Sequence, residues 1–240
     1  MTSFASRAQG RPLRVAHITT IDRSLHSLLF NQLRSLQRAG YEVVGISAPG
    51  PAAAILQAAG IRHIAVPMTR RITPPGDLLA LARLVHLMRQ ERFTIVHTHT
   101  PKPGLLGQLA ARLAGVPLVL NTIHGFYLHD RMRPAQRRLY LALEKAAARC
   151  SDAILFQNQE NMTLSLREGI ARPDQVVYLG NGIDLALFDP ARVSATDVAA
   201  LRRELSLPTD APVVGFVGRL AARRKGFLDF LAAGREVQAH

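Results

Sequence analysis

The sequence predicts an α/β protein: one complete, doubly wound domain with a mainly parallel sheet, followed by the first βα unit of a second domain. Short β-rich runs alternate with longer segments of helical period, which is typical of βαβ units. Seven such runs fall between residues 13 and 179, enough for one full sheet. With 240 residues, 48 % of them hydrophobic, the chain can bury a core of this size.

The strands are predicted from apolar runs that are bounded by glycine, proline or polar residues. The fourth run carries two histidines at alternate positions, His97 and His99, which places them on one face of the strand. In chain order the predicted strands are 13–20, 41–48, 61–68, 94–100, 117–123, 153–157 and 176–179.

The helices are predicted from apolar residues three and four positions apart, and from glycines at which that pattern stops. Leu29, Leu33 and Leu36 give the first helix an apolar face, and Gly40 follows its end. In chain order the helices between the strands are 28–39, 52–59, 77–90, 105–114, 134–149 and 160–167.

Residues 189–212 are predicted to connect two domains, because three prolines surround one polar helical segment at 196–205. An apolar run at 213–217, a glycine turn and a helix at 227–237 then make one βα unit, far below the roughly 100–150 residues of an independent domain. We therefore expect a flexible tail at 1–12, a complete first domain at 13–188, a connection at 189–212 and the truncated start of a second domain at 213–240.

Arginine dominates the charge of the chain. Lys and Arg number 30 against 17 Asp and Glu, which gives a formal net charge of +13. This balance favours anionic partners such as a nucleotide diphosphate, a lipid diphosphate or an acidic membrane surface. The sequence has no zinc-ligand pattern, no aromatic–basic RNA-binding motif and no isolated basic block, so we expect no nucleic-acid partner.

Cysteine usage and hydropathy bear on the compartment. Cys150 is the only cysteine, which favours a reducing, cytoplasmic environment. The N-terminal residues lack the apolar stretch of a secretory signal, and no predicted helix has the roughly 18 apolar residues that span a bilayer. The arginines at 131, 133, 137 and 138 fit either a solvated face or peripheral contact with an anionic membrane, such as the inner face of the plasma membrane.

Polar loops follow three predicted strands, and ligands of doubly wound sheets bind at that edge. Asp22 follows the first strand, His99 and Lys102 close the fourth, and His124 and Gly125 follow the fifth. The three histidines 97, 99 and 124 could suggest a metal site, but none is expected, because no cysteine and few carboxylates lie nearby in sequence. We expect His99 and His124 to contact substrate, and Lys102 either to bind a phosphate or carboxylate or to remain a solvated loop lysine.

A second basic loop follows the run at 213–217. Gly218 and Arg219 lie at the end of this run, and Lys225 precedes Gly226 and a helix. Two cations and the N–H groups of a helix start suit a diphosphate, whose charge must be neutralised when it leaves during a transfer. No G-x-G-x-x-G follows the first strand, which argues against an ordinary nicotinamide enzyme.

Taken together, these segments resemble bacterial glycosyltransferases of family 4. The resemblance spans about residues 13–237, and a stretch at 70–78 together with Thr20 and Asp22 is similar to a subgroup associated with capsular and exopolysaccharide assembly. Its most specific segments are VHTHTPKPGLLG at 96–107, TIHGF at 122–126, NGIDL at 181–185 with Phe188, VGRL at 217–220 and RKG at 224–226.

The resemblance implies a GT-B fold, with two facing Rossmann-like domains, and a retaining transfer from a nucleotide-diphosphate sugar to a lipid-linked saccharide. His124 matches the family's histidine near the transferred sugar. Gly218, Arg219 and Lys225 match the loop that binds the donor diphosphate, and this loop stands in for a metal ion. The first domain would bind the acceptor, a polyprenol-diphosphate-linked saccharide of surface-polysaccharide assembly, with Asp22, His99, Lys102 and Gly125 on its side.

Two departures from the family pattern limit the expectation. The first loop has no glycine pair, and no counterpart of the family's later glutamate pair precedes His240. We therefore expect the chain by itself to be inactive. A non-catalytic sugar-nucleotide-binding remnant, a UDP-sugar 2-epimerase-like isomerase and a basic surface protein without substrate are the alternatives.

Overall fold

The computed structural model describes residues 12–126, 128, 132–218 and 226–238. Seven strands form one sheet in the order β3-β2-β1-β4-β5-β6-β7, and every neighbouring pair is parallel. The strands are β1 (Arg14–Ile21), β2 (Glu42–Ala48), β3 (Arg62–Ala65), β4 (Ile95–His99), β5 (Leu118–Ile123), β6 (Ala153–Phe156) and β7 (Val176–Tyr178).

All the helices predicted between the strands are present. They are α1 (Asp22–Arg38), α2 (Ala52–Ala58), α3 (Pro74–Glu91), α4 (Pro101–Ala114), α5 (Pro134–Ala148) and α6 (Gln159–Arg167). Beyond the sheet come α7 (Ala195–Glu204) and α8 (Phe227–Gln238). The α/β class and the complete doubly wound sheet are thus confirmed.

The helices cover both faces of the sheet. Val43 packs in a buried cluster with residues of α1 and α2, whereas its neighbour Val44 packs in a cluster with residues of α3 and α4. Successive residues of a strand point to opposite faces, so these two clusters lie on opposite sides of β2. The strand order reverses between β1 and β4, which is the switch point where such folds bind ligands.

Three helices begin earlier than their apolar pattern predicts. α1 begins at Asp22, α3 at Pro74 and α4 at Pro101. An acidic residue in the first turn suits the positive end of a helix, and proline is favoured at the first helical position because its missing N–H would have no partner there. The polar loops expected after β1 and β4 are therefore first turns of helices.

The strand predicted at 213–217 does not form. Residues 212–217 have no regular secondary structure, and no described segment pairs with them. A strand needs the hydrogen bonds of a neighbour, so an apolar run alone does not make one. The helix of the same predicted βα unit is present as α8.

The chain divides into two compact units, one ending at Gly182 and the other beginning at Ile183. The predicted domain boundaries at 188 and 212 stay predictions. Among the described helices, none combines the length and apolarity that crossing a bilayer requires.

Candidate active site

Four imidazole rings meet at the carboxyl edge of the sheet, at and beside the switch point. His17 of β1 lies beside His97 of β4 in the parallel register, and His99 follows on the same face two residues later. His124 comes directly after β5. The rings of His97 and His99 are 4.2 Å apart between centroids, which confirms that the two share a face.

Hydrogen bonds join three of these rings in a row. Nδ1 of His17 lies 3.0 Å from Nε2 of His99, and Nδ1 of His99 lies 3.2 Å from Nε2 of His124. Nδ1 of His124 in turn lies 3.0 Å from Oε1 of Gln157, which follows β6. We call the four side chains of His17, His99, His124 and Gln157 the histidine row.

Burial keeps the rings neutral. His17 and His99 are each 1 % exposed, and desolvation lowers the pKa of His17 to about 4 and that of His99 well below its usual value. The pKa of His97 is also lowered, by desolvation first and by the neighbouring imidazoles second. Burial lowers the pKa of the partly buried His124 too, against an opposing hydrogen bond with Gln157.

His97 stands beside the row and outside it. Its Nε2 lies 2.7 Å from the hydroxyl of Thr122 on β5. His97 is thus a hydrogen-bonded histidine within a buried strand. One nitrogen from each of His17, His97 and His99 lies within 4.8 Å of the others.

Such a group of three imidazoles could hold a metal ion, and no Cys, Asp or Glu joins it among the described residues. Zinc would need its ligand nitrogens at about 2.0–2.1 Å. A ligand nitrogen has no spare lone pair for a hydrogen bond, so binding through the present contact atoms would break the bond between His17 and His99. The expectation of no metal stays a prediction.

Lys102 lies in the first turn of α4 and is turned toward the loop before α3. Its ammonium donates to Asp77, to the hydroxyl of Thr69 and to the carbonyl of Arg71. Burial opposes the ionisation of Asp77, but bonds from Lys102 and Thr73 outweigh it and lower the pKa of this carboxyl. The structure thus uses Lys102 to anchor the loop, and its contact with a substrate anion stays a prediction.

Asp22 is also occupied by the protein. Its side chain is buried and accepts bonds from the N–H groups of Ala52 at 2.6 Å, Ala53 at 3.3 Å and Arg23 at 2.7 Å. It therefore caps the start of α2 from the end of β1. Gly50 makes room for it, because a Cβ at that position would lie 2.3 Å from a carboxylate oxygen.

Backbone strain marks the same edge. Thr100, directly after His99, has φ +70° and ψ 151°, a region that is almost exclusive to glycine. Its hydroxyl lies 3.0 Å from that of Thr20, which ties the end of β4 to that of β1. The exposed Gly125, after His124, has φ +153°, so glycine is required there.

The structure brings some of the predicted site residues together. His99 and His124 belong to the histidine row, and Gly125 follows His124 directly in the chain. Asp22 instead caps the start of α2, and Lys102 anchors the loop before α3. Gly218 is exposed in the second unit. Arg219 and Lys225 lie outside the described residues, so their contact with a donor diphosphate stays a prediction.

Sequence reasoning missed His17, Thr100 and Gln157. His17 lies inside an apolar strand and not in a polar loop, although a histidine within a buried run is itself a signal. The motif at 96–107 contains Thr100 but does not reveal its strain, and the sequence pattern predicts Gln157 as the last residue of a strand. Their roles depend on pairing between strands that a single sequence does not display.

The sequence pattern of the glycosyl transferase 4-like domain matches residues 29–182, well over half of the chain and nearly all of the first unit. The chain belongs to this glycosyltransferase family. The matched range contains His97, His99, His124 and Gln157, whereas His17, Thr20 and Asp22 of the same edge precede it.

Two curated relatives of this glycosyltransferase-family chain are bacterial. It is 35 % identical over 161 residues to the UDP-Gal:α-D-GlcNAc-diphosphoundecaprenol α-1,3-galactosyltransferase of Escherichia coli, covering 67 % of the chain and 41 % of the relative. It is 27 % identical over 212 residues to the capsular polysaccharide biosynthesis glycosyltransferase CapM of Staphylococcus aureus, covering 86 % of the chain and 53 % of CapM. The chain thus spans about half the length of these relatives.

A solved structure shows the same fold. A glycosyltransferase from Rickettsia africae superposes with a TM-score of 0.74 at 17 % identity, over 95 % of this chain and 58 % of that one. The family membership and this superposition confirm the GT-B fold class.

Proposed function

We propose that this chain provides the acceptor-side domain of a retaining glycosyltransferase that moves a sugar from a nucleotide-diphosphate sugar to a lipid-linked saccharide. The observation that carries the proposal is the 35 % sequence identity with the E. coli galactosyltransferase, whose acceptor is a diphosphoundecaprenol-linked sugar. The similarity to a capsular glycosyltransferase supports a place in the assembly of surface polysaccharide.

The position of His124 supports this role. It is partly buried at the edge of the sheet where doubly wound folds bind ligands, and glycine follows it. Both of its ring nitrogens have protein partners, so a substrate group that contacts the ring must replace His99 or Gln157. Retention of configuration and the diphosphate grip of Arg219 and Lys225 rest on the resemblance of the sequence to the family.

No metal ion is needed in the proposed reaction, because cationic side chains would stabilise the leaving diphosphate. The acceptor would reach the protein from the inner face of the plasma membrane. The net charge of +13 favours such contact with anionic lipid.

The test is transfer by the 240-residue chain fused to the remaining part of the E. coli galactosyltransferase, because the chain by itself is expected to be inactive. The donors are UDP-galactose and other nucleotide sugars, and the acceptor is a short-chain polyprenol-diphosphate-linked N-acetylglucosamine. Mass spectrometry of the lipid product measures transfer, and the anomeric configuration of the product tests retention. The proposal expects product formation that EDTA does not reduce. His124→Ala should reduce the rate roughly tenfold or more, the equivalent of one lost hydrogen bond in the transition state.

His86→Ala is the matched control, because His86 is an exposed histidine of α3. Donor binding by the 240-residue chain alone, without transfer by the fusion, would favour the non-catalytic remnant instead. Conversion of a UDP-sugar without any acceptor would favour the isomerase. Equal rates for His124→Ala and the unaltered chain would remove His124 from the proposal.

A further inference from the structure

The histidine row crosses four neighbouring strands without a gap. It runs from β1 through β4 and β5 to the end of β6, and its three contacts measure 3.0, 3.2 and 3.0 Å. Each contact joins Nδ1 of one side chain to an acceptor-capable atom of the next. The same atom of each ring thus faces the same direction along the row.

A neutral imidazole carries one proton, so one of its nitrogens donates and the other accepts. In a row of neutral rings, the nitrogen that carries the proton in the ring at one end therefore determines which nitrogen carries it in every other ring. Oε1 of Gln157 can only accept, so Nδ1 of His124 donates to it and Nε2 of His124 is free of a proton. Nδ1 of His99 then donates to His124, and Nδ1 of His17 donates to His99.

The opposite polarity is also conceivable. Turning the amide of Gln157 by half a rotation would present its NH₂ group to His124, and every proton in the row would move to Nε2. The far end of the row distinguishes the two arrangements. Nε2 of His17 is buried and has no partner among the described residues.

With the amide oxygen toward His124, this last nitrogen is a bare acceptor. With the NH₂ group toward His124, it is a buried N–H without an acceptor. Buried donors without a partner are rarer in proteins than acceptors without one. The unpartnered end at His17 therefore favours the polarity in which all three rings carry the proton on Nδ1.

We propose that Gln157 sets the tautomer of all three rings, and that His17 and His99 are positioning residues that hold His124 as its Nδ1–H form with an accepting Nε2. A ligand group that replaces His99 at this Nε2 must then donate a hydrogen bond, as a sugar hydroxyl can. This last consequence rests on the proposed function, whereas the tautomers do not.

The experiment is long-range proton–nitrogen NMR on the intact chain labelled with ¹⁵N-histidine, because protonated and bare ring nitrogens resonate far apart. The nine histidines are assigned by single substitutions. The Nδ1–H form is the less common tautomer of histidine in water, so its presence at positions 17, 99 and 124 together is a specific result. It is the expected one.

Gln157→Leu removes the terminal acceptor while keeping a side chain of similar size. The tautomer populations of His124, His99 and His17 should all change, since the three rings are coupled. His63 is the internal control: it pairs with Ser47 on β2 and β3 and should keep its tautomer. Gln37→Leu is the matched control, because Gln37 bonds the carbonyl of Gly60 at the surface.

An Nε2–H form at His99 or His124 in the unaltered chain would overturn the proposal. So would a Gln157→Leu spectrum in which only His124 changes. Transfer is measured separately on the fusion with the E. coli galactosyltransferase. If the tautomers are as predicted but no transfer occurs, only the proposed function is refuted. If transfer occurs but the tautomers differ, only the proposal for the histidine row is refuted.

Discussion

At the scale of single residues, the strained backbone of Thr100 is the clearest departure from ordinary geometry. Its φ of +70° with ψ of 151° costs about 1–3 kcal/mol for a residue with a Cβ. The bond between its hydroxyl and that of Thr20 is part of what holds it there. Strain of this kind gathers at ligand sites, which agrees with its place directly after His99.

Replacing Thr100 by glycine and by alanine separates the strain from the hydroxyl. Both variants lose the bond to Thr20, but only glycine accepts the backbone angles freely. We expect Thr100→Gly to be more stable than Thr100→Ala by about 1 kcal/mol or more, the reverse of the usual order within regular structure. Urea denaturation of the two proteins measures the difference, and a more stable alanine variant would contradict the strain.

Glu144 of α5 gives a second prediction, because burial raises the pKa of its carboxyl to about 7. The folded chain then holds a proton that the unfolded chain releases above its ordinary value of 4.5. The free energy of unfolding should therefore fall as the pH rises from 4.5 to about 7, by at most about 3 kcal/mol.

Glu144→Gln should remove this loss. The variant is expected to match the unaltered chain below pH 4.5 and to exceed its stability above pH 7, as measured by thermal denaturation across that window. Glu160→Gln, on the exposed surface of α6, is the control and should show no such crossover. Parallel pH profiles for Glu144→Gln and the unaltered chain would show that the carboxyl is hydrated.

Among the residues of the site, sequence reasoning found those in the polar segments at the ends of predicted strands. It missed His17, which lies inside a strand, and Gln157, whose partner lies on a neighbouring strand. His99, His124 and Gly125 were found because ligands bind at the carboxyl edge of doubly wound sheets. His17 meets His99 only because β1 lies beside β4, and Gln157 meets His124 only because β6 lies beside β5. That adjacency is a property of strand order, which local patterns do not contain.

At the scale of the element, the start of α2 depends on a residue that lies outside it. The helix has no side-chain cap of its own, and Asp22 accepts the first N–H groups in its place. Gly50 lies so close that its missing side chain is a condition of this contact. The two positions should therefore behave as one unit.

Asp22→Ala is expected to cost about 1–3 kcal/mol in the free energy of unfolding, since it leaves the buried N–H of Ala52 without its acceptor. Gly50→Ala should be similarly destabilising alone, yet cost much less when Asp22 is already alanine. A double-mutant cycle by urea denaturation measures this coupling. Gly182→Ala is the control, because a Cβ there meets nothing within 4 Å, and additive effects at 22 and 50 would contradict the contact.

The periodic patterns predicted every helix and strand of the sheet, with errors at the ends of elements. The starts of α1, α3 and α4 were placed late, because their first turns are polar or proline-rich rather than apolar. The run at 213–217 is predicted as a strand because it is apolar and precedes a glycine turn. Its backbone has no described neighbour to pair with, and pairing decides whether such a run becomes a strand.

At the scale of the whole molecule, the two units differ in how much they bury. The first has three buried clusters around the sheet. In the second, none of the residues 183–218 and 226–237 is buried. Large apolar side chains such as Leu185 and Val214 are 74 % and 79 % exposed. Apolar burial is the main source of protection against local opening.

We therefore expect amide hydrogens of α7 and α8 to exchange far sooner than those of α1, α3 and α4. Hydrogen–deuterium exchange of the intact chain with peptide-level mass spectrometry measures this order. Equal protection of the amide hydrogens in α4 and α7 would contradict this expectation. It would show that the second unit buries more apolar surface in solution than the structure describes. The doubly wound class itself was predictable at this scale, because it follows from the alternation of strands and helices.

The histidine row also has a consequence for how this sequence can vary. Removing one ring leaves its neighbour with a buried nitrogen that nothing satisfies, whereas replacing both members of a pair by apolar groups of similar shape can be nearly neutral. Positions 17 and 99 are therefore expected to be strongly epistatic. A library that varies them jointly would recover folded members that a scan of one position at a time discards.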